Sequence, residues 1–409
     1  MEKRTTDLLR ELASTEVQQY IREHERDDVN DLLLKDRTIA GVEMRYIAEQ
    51  IASRRKAKDK LPIFYRTAGV VYPPSASLEQ SSSQSTALYK SGIARTLTVG
   101  RQGTTRVIAD LTGGLGVDSY FLAQQFHTVH YVEPQDFLAE IARHNHGVLG
   151  ANNIEYHQRT AEEFLKQATY FDMVYIDPSR RTTANRKVSA FEDCQPDVVK
   201  LQDTILEKTP FMLIKASPLL DIQAGMRQLR HVQTVHVVAV NNECKELLFV
   251  CDRTFSGDAV VEAIDLSDPN EAFRFSFQQE KAEDVSFGNP MQFLYEPNAA
   301  IMKAGAFKLV ARQFQVKKIA PNTHLYTSDK LVAGFPGRTF RIEGLIKADR
   351  EALSKHFPNG NANVTTRNYP LAAAELKKKV GLQDGGEKFL FGFSGIAKKF
   401  LAVAVRVES

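Results

Sequence analysis

The stretch Val107-Ile-Ala-Asp110-Leu-Thr112-Gly113-Gly114-Leu-Gly116-Val-Asp118-Ser119 decides how the chain is read. Three apolar residues run into an acid, a glycine-rich turn follows, and then an amphipathic segment, Tyr120 to Ala123. That order is strand, turn, helix, with glycines where a backbone has to approach a ligand closely. The spacing is Asp-x3-Gly-x-Gly on Asp110, Gly114 and Gly116. A dinucleotide-binding turn would carry a third glycine at 119, where this chain has Ser119.

The neighbouring stretches extend the pattern. Val129 to Glu133 is a second strand ending in an acid, seventeen residues beyond Gly116, where a βαβ unit offers a carboxylate to a ribose diol. Phe171 to Pro178 is an apolar strand closing on Asp177-Pro178, and Phe211 to Pro218 is another, closing on Lys215. Polar residues at the C-terminal ends of successive strands are where open α/β sheets keep their ligands. An acid closing the first strand suits a ligand with an ammonium group, such as the amino-acid end of S-adenosylmethionine. The expectation is that Asp110 and Glu133 grip the two polar ends of one adenosyl cofactor, with its sulfonium turned towards Asp177.

A chain of 409 residues should hold two to four domains. Its composition, 43% apolar and 25% charged, is that of an ordinary globular protein. Net charge is only +3, but residues 327–409 carry 14 Lys and Arg against 8 Asp and Glu, which favours a nucleic-acid partner at that end. Cys194, Cys244 and Cys251 make no CxxC and no even framework, so neither structural zinc nor a disulfide scaffold is indicated. The ten histidines show no metal spacing, and His144 and His146, within a helical pattern, read as surface residues. The first residues lack an apolar signal core and no apolar run is long enough to span a bilayer, which makes a reducing cytoplasm the default compartment.

Residues 1 to about 60 carry apolar positions at helical spacing, closed by Arg54, Arg55, Lys56, Lys58 and Lys60, cations that suit a helix C-terminus. Pro62 and Pro73-Pro74 mark an extended connector, and Glu79-Gln80-Ser81-Ser82-Ser83 leads into a short helix around Ala87 to Lys90. The serine cluster abuts the site in sequence and is a candidate to line it. The sheet domain runs from 96 to 253. Its last strands, Val235–Ala239 and Leu247–Val250, are too close for a helical crossover and should pair antiparallel. A mostly parallel sheet closed by an antiparallel strand is the arrangement of class I methyltransferases. Residues 254–325 read as a small α+β unit, with a helix opening at Pro297, and 326–409 as a second one.

Taken together, Glu79-Gln80-Ser-Ser, Asp110 to Asp118, Asp177-Pro-Ser-Arg-Arg181, Tyr295-Glu-Pro and Thr366-Arg-Asn-x-Pro370 with Asp384-Gly-Gly resemble a bacterial family. These are the class I S-adenosylmethionine-dependent methyltransferases with a THUMP-like C-terminal domain. The resemblance implies a Rossmann-like α/β methyltransferase domain at 96–253 behind an N-terminal helical region at 1–95. It also implies a small ferredoxin-like domain at 254–325, a THUMP-like domain at 326–409, and an RNA substrate. The cofactor residues it points to are Asp110, Thr112, Gly113, Gly114, Gly116, Asp118, Glu133, Pro134 and Asp177. Class I enzymes often place an acid after the third strand for the adenine amine. Here Thr160 stands there, so either its hydroxyl with the Ala161 backbone serves, or Glu162 reaches over.

Methyl transfer is an in-line displacement whose acceleration comes largely from positioning, with a group to take the nucleophile's proton or hydrogen bond. Asp177 is the candidate for that role. In base-amine methylating enzymes the matching motif continues with an aromatic ring, where this chain has Arg180. Pro178, Ser179, Arg180, Arg181 and Arg367 are candidate substrate contacts, and Arg186 and Lys187 add to the phosphate-binding appearance of the loop. A second arrangement resembles the Lys-Asp-Lys-Glu tetrad of RNA ribose 2′-O-methyltransferases, on Lys90, Asp177, Lys215 and Glu246, with Glu243 able to replace Glu246. No cysteine lies within these motifs, which disfavours a covalent 5-methylpyrimidine mechanism. The competing readings are methylation of a protein or small molecule, and an RNA-binding protein that keeps the cofactor fold as scaffold. Which RNA, which atom and the oligomeric state are not written in the motifs.

Overall fold

Val107–Asp110 forms the middle strand of a parallel sheet (β1). The computed structural model describes residues 5–34, 37–100, 105–180, 191–268 and 272–407, in two compact units. The first takes residues 1–233 and 248–256, the second residues 234–247 and 257–409. Among the described residues no helix is long and apolar enough to cross a membrane.

In the first unit β1 is followed by β2 (Thr128–Val132), β3 (Ile154–His157), β4 (Met173–Ile176) and β5 (Phe211–Ala216). All pair in parallel, in the order β5-β4-β1-β2-β3. Every residue of β4 is buried, which is why its sequence is a continuous apolar run: a strand covered on both faces needs no alternation. Helices Val117–Ala123, Asp136–Val148, Ala161–Gln167 and Val198–Lys208 make the crossovers. The order reverses between β1 and β4, so the crevice of such a sheet lies at the C-terminal ends of these strands.

The expected antiparallel closure is present. β6 (Val232–Val240) and β7 (Glu243–Asp252) are neighbours joined by Asn241-Asn242 alone, and both asparagines have positive φ, 53° and 60°. That is a two-residue hairpin turn, which only antiparallel strands can use. The strands run longer than the sequence suggested, absorbing most of what read as a seven-residue loop. Leu248–Asp252, the half of β7 that belongs to the first unit, lies beside β5 in the strand order.

Ahead of the sheet the N-terminal region is helical as expected, but a small hairpin, Thr38–Ile39 with Val42–Glu43, interrupts it before the helix Met44–Lys60. Two readings are corrected. Pro62 opens a short helix, Pro62–Arg66, because proline costs nothing at a first helical position. The helix after the serines runs the full length Gln84–Thr98, capped by Ser83. The basic run is used internally: Arg54 pairs with Glu25 at 3.0 Å, and Lys56 pairs with Glu79.

In the second unit β8 (Val260–Asp265) pairs in parallel with β6, and β9 (Phe273–Phe275) pairs antiparallel with β8. A separate seven-stranded sheet comes next, made of β10 (Phe293–Pro297), β11 (Lys317–Ala320), β12 (Thr323–Ser328), β13 (Gly337–Ile346), β14 (Asn363–Arg367), β15 (Lys388–Ser394) and β16 (Lys399–Val407). Its order is β11-β12-β10-β13-β16-β15-β14, around a core that includes Leu294, Phe340, Phe391 and Phe393. Pro297 ends β10 and does not open a helix. The helix begins at Ala299, with Asn298 accepting the Ile301 amide at 3.0 Å. A boundary drawn between 325 and 326 falls within β12.

Candidate active site at the strand ends

The glycine turn is shaped first by the protein's own side chains. A Cβ on Gly113 would lie 2.2 Å from the Tyr131 ring, and one on Gly116 (φ 72°) 2.4 Å from His146 Nε2. Only Gly114 (φ 52°) leaves space, with no atom nearer than 3.9 Å to an added Cβ. Of the three, then, Gly114 alone matches the idea of backbone cleared for a ligand. Tyr131 fixes it by donating its hydroxyl to the Gly114 carbonyl at 2.6 Å.

Behind the turn His146 is fully buried, which corrects its reading as a surface residue, and His144 bonds the Gly69 carbonyl at 2.8 Å. His146 Nε2 lies 2.8 Å from the Gly116 carbonyl and Nδ1 2.9 Å from the Tyr156 hydroxyl. A carbonyl only accepts, so Nε2 carries the proton and Nδ1 accepts from Tyr156. Burial pushes this imidazole down to about 4.

Asp110 is also turned inward. It is fully buried, and its two oxygens accept from Ser119 Oγ at 2.5 Å and from the Thr112 amide at 3.1 Å. These two bonds clamp the start of the helix to the end of β1. Ser119, at the position where a third glycine was missing, is the clamp's other half. Burial pushes the Asp110 carboxyl up to about 7.

Glu133, at the end of β2, accepts the Gly114 amide at 3.0 Å and the Gln135 amide at 2.9 Å. Each oxygen keeps a further lone pair, so the carboxylate can still receive a diol. Burial raises its pKa, and these amides pull it back. Pro134 beside it is exposed. Thr160 is committed to a helix cap: its hydroxyl accepts the Glu163 amide at 3.2 Å, and Glu163 accepts the Thr160 amide at 3.1 Å. Ala161 is buried at the first turn of that helix.

Two charged pairs stand near the ends of β4 and β5. Lys215 donates to Asp177 at 2.5 Å, with the aspartate side chain a third exposed, and Thr112 Oγ1 accepts the Asp177 amide at 2.7 Å. The second pair involves Lys90, the first lysine of the tetrad reading. Lys90, nearly fully buried, sits 3.2 Å from Asp118 and donates to Ser82 at 2.9 Å. Ser82 and Tyr175 donate to Asp118 at 2.7 and 2.9 Å. Burial raises the Asp118 carboxyl, but Lys90, Lys215 and these hydroxyls hold it below its ordinary range. Asp177 and Lys215 are thus brought together as the tetrad requires, while the ion pair of Lys90 runs to Asp118. Glu246 is buried on β7, in the second unit, and Glu243 opens that strand.

Of the substrate candidates, Pro178 is buried and Ser179 exposed, and Ser179–Arg180 pairs as a short strand with Cys194–Gln195. Arg181, Arg186 and Lys187 lie outside the described residues. Arg367, in the second unit, pairs with the buried Glu296, which also binds Arg338 at 2.8 Å. The sequence reading missed Tyr131, Tyr156 and Tyr175. Their positions on strands were visible, but a tyrosine there reads as core until its hydroxyl partner is known.

Comparison with known proteins bears on the chain as a whole. Residues 293–336 match a ferredoxin-like domain model and residues 337–405 a THUMP domain-like model. Over 100% of both chains the protein is similar to a candidate methyltransferase from Porphyromonas gingivalis W83, with 30% identity and a TM-score of 0.83. Fainter likenesses include an rRNA methylase from Streptococcus thermophilus (14% identity, 39% of this chain and 95% of that chain, TM-score 0.29). Another is a candidate methyltransferase from Streptococcus mutans in complex with SAH (13% identity, 39% and 94%, TM-score 0.29). At that level the two fainter structures add nothing to the assignment. No curated protein matches the chain. Matched end to end by a relative and carrying both C-terminal domain types, the chain belongs to the bacterial family of class I methyltransferases with a THUMP-like C-terminal domain.

Proposed function

We propose that this protein transfers a methyl group from S-adenosylmethionine to RNA, at a base nitrogen or a ribose 2′-oxygen. The observation that carries the reading is the Lys215–Asp177 pair, partly open to solvent where the strand order reverses, beside a glycine turn with space at Gly114. The residues fit the cofactor. Glu133 offers free lone pairs suited to a ribose diol, Gly114 leaves its backbone approachable, and Asp118 adds a carboxylate at the head of the helix. When bound, S-adenosylmethionine supplies a sulfonium methyl for in-line displacement. Asp177, its carboxylate oriented by Lys215 and its backbone amide hydrogen-bonded to the Thr112 hydroxyl, accepts the proton or hydrogen bond of the incoming nucleophile. Asp110 acts one step back, by holding the turn. RNA as acceptor is supported by the THUMP domain-like match and by the basic balance of residues 327–409.

Calorimetry tests the cofactor and mass spectrometry the acceptor. S-adenosylmethionine should bind one per chain, and Glu133→Gln should weaken it about tenfold, roughly 1.4 kcal/mol. Nucleosides from RNA of cells lacking the protein should miss one methylated species that returns with the wild type. Absence of cofactor binding removes the enzyme reading. Binding with an unchanged nucleoside profile removes RNA and leaves a protein or small-molecule acceptor.

A further inference from the structure

A second cluster lies on the outer strands of the parallel sheet, formed by residues that the strand-end constellation does not use. β2 and β3 pair with His130 opposite Glu155 and Val132 opposite His157. Because side chains alternate along a strand, Glu155 and His157 project to the same face, and His130 meets both. His130 Nδ1 is 3.0 Å from His157 Nε2 and 3.3 Å from Glu155 Oε2, and the three ligand atoms all lie within 4.8 Å of one another. Phe164 and Phe171 wall the site, with ring centroids 5.8 and 5.5 Å from that of His130, while Glu155 stays open to solvent.

Those separations suit a metal ion. Histidine nitrogens and carboxylate oxygens bind zinc at about 2.0–2.2 Å in a tetrahedron, which sets the distance between neighbouring ligand atoms at roughly 3.3–3.5 Å. The observed edges of 3.0 and 3.3 Å need open only by a few tenths of an ångström, and the third, within 4.8 Å, has to settle at the same length. We propose that His130, Glu155 and His157 form a divalent transition-metal site, with zinc the favoured ion and solvent in the fourth position. Two imidazoles and one carboxylate are a borderline donor set, which selects zinc over magnesium or calcium. A metal here clamps β2 to β3, whose C-terminal ends lead to Glu133 and Thr160. The sequence hid the set because its histidines are 27 residues apart and only the strand register joins them.

The competing account is a plain hydrogen bond between the two imidazoles, with Glu155 as a surface partner. Chelator-stripped, tag-free full-length protein should bind one zinc per chain by calorimetry. Cobalt in its place should give the visible absorption of a four-coordinate ion. Glu155→Gln, at an exposed side chain, and His157→Ala should each weaken zinc by about tenfold or more. A melting curve in chelator establishes that each variant is folded. If the parent takes up no zinc, or if both folded variants bind it as tightly as the parent, the site is a hydrogen-bonded pair and the proposal falls. Neither measurement involves methyl transfer, so the result stands apart from the proposed activity.

Discussion

Asp110 and Asp177 end neighbouring parallel strands, yet their surroundings are opposite. Asp110 is fully buried, both its oxygens taken by Ser119 and Thr112, and its carboxyl is pushed up to about 7 by burial. Asp177 keeps a third of its side chain in solvent and faces a lysine. One acid is tied into the fold and the other meets solvent. The difference arises from the residues just downstream of each acid. After Asp110 the chain turns back so that Ser119 reaches it, whereas Asp177 is followed by Pro178 and the short strand Ser179–Arg180, which pairs with Cys194–Gln195.

Substitutions at the two strand ends should therefore fail in different ways. Asp177→Asn should lower kcat for RNA methylation by about 10²-fold or more while moving the melting temperature little. Were Asp110→Asn to lose as much turnover with its fold and cofactor affinity intact, the division of roles would be wrong. Gly116→Ala sharpens the architectural side. The new methyl meets His146 at a backbone angle that disfavours side chains, and urea unfolding should show a loss of about 3 kcal/mol or more.

A further difference between the two acids concerns pH. The folded carboxyl of Asp110 titrates near 7, above its unfolded value near 3.8, so between these pH values the folded state binds the extra proton. Stability from this group is therefore highest below about 4 and falls as pH rises towards 7. Asp110→Asn removes that slope. Its stability relative to the wild type should improve steadily as pH rises across the window, because the amide does not titrate and any hydrogen bond lost at every pH shifts the whole curve without changing its slope. Parallel urea titrations at several pH values measure it, and a constant difference would place the carboxyl's titration elsewhere.

Much of the fold was legible because parallel strands buried on both faces write themselves as apolar runs, and Val107–Asp110 and Met173–Ile176 do so plainly. The hairpin of β6 and β7 was legible in its pairing but not its length, since Asn241-Asn242 turns sharply without glycine. The site was half legible. Motif positions located the strand ends, but whether an acid points outward or inward depends on partners such as Ser119, Ser82 and Tyr175. Lys90 could not be allotted between Asp118 and Asp177 from spacing alone, because the helix Gln84–Thr98 had to be placed first.

The sheet of the second unit bears on how this family can be cut and recombined. β10 and β13, which open the ferredoxin-like and THUMP-like matches respectively, exchange backbone bonds over five residue pairs, from Phe293 with Arg341 to Pro297 with Gly337. Producing the segments on either side of 336 and 337 apart would leave each with one raw, sticky edge strand where the middle of that sheet had been. The two segments, though recognised under separate descriptions, are inseparable neighbours: expression of either by itself should give aggregated material, and a transplant to another scaffold must carry both.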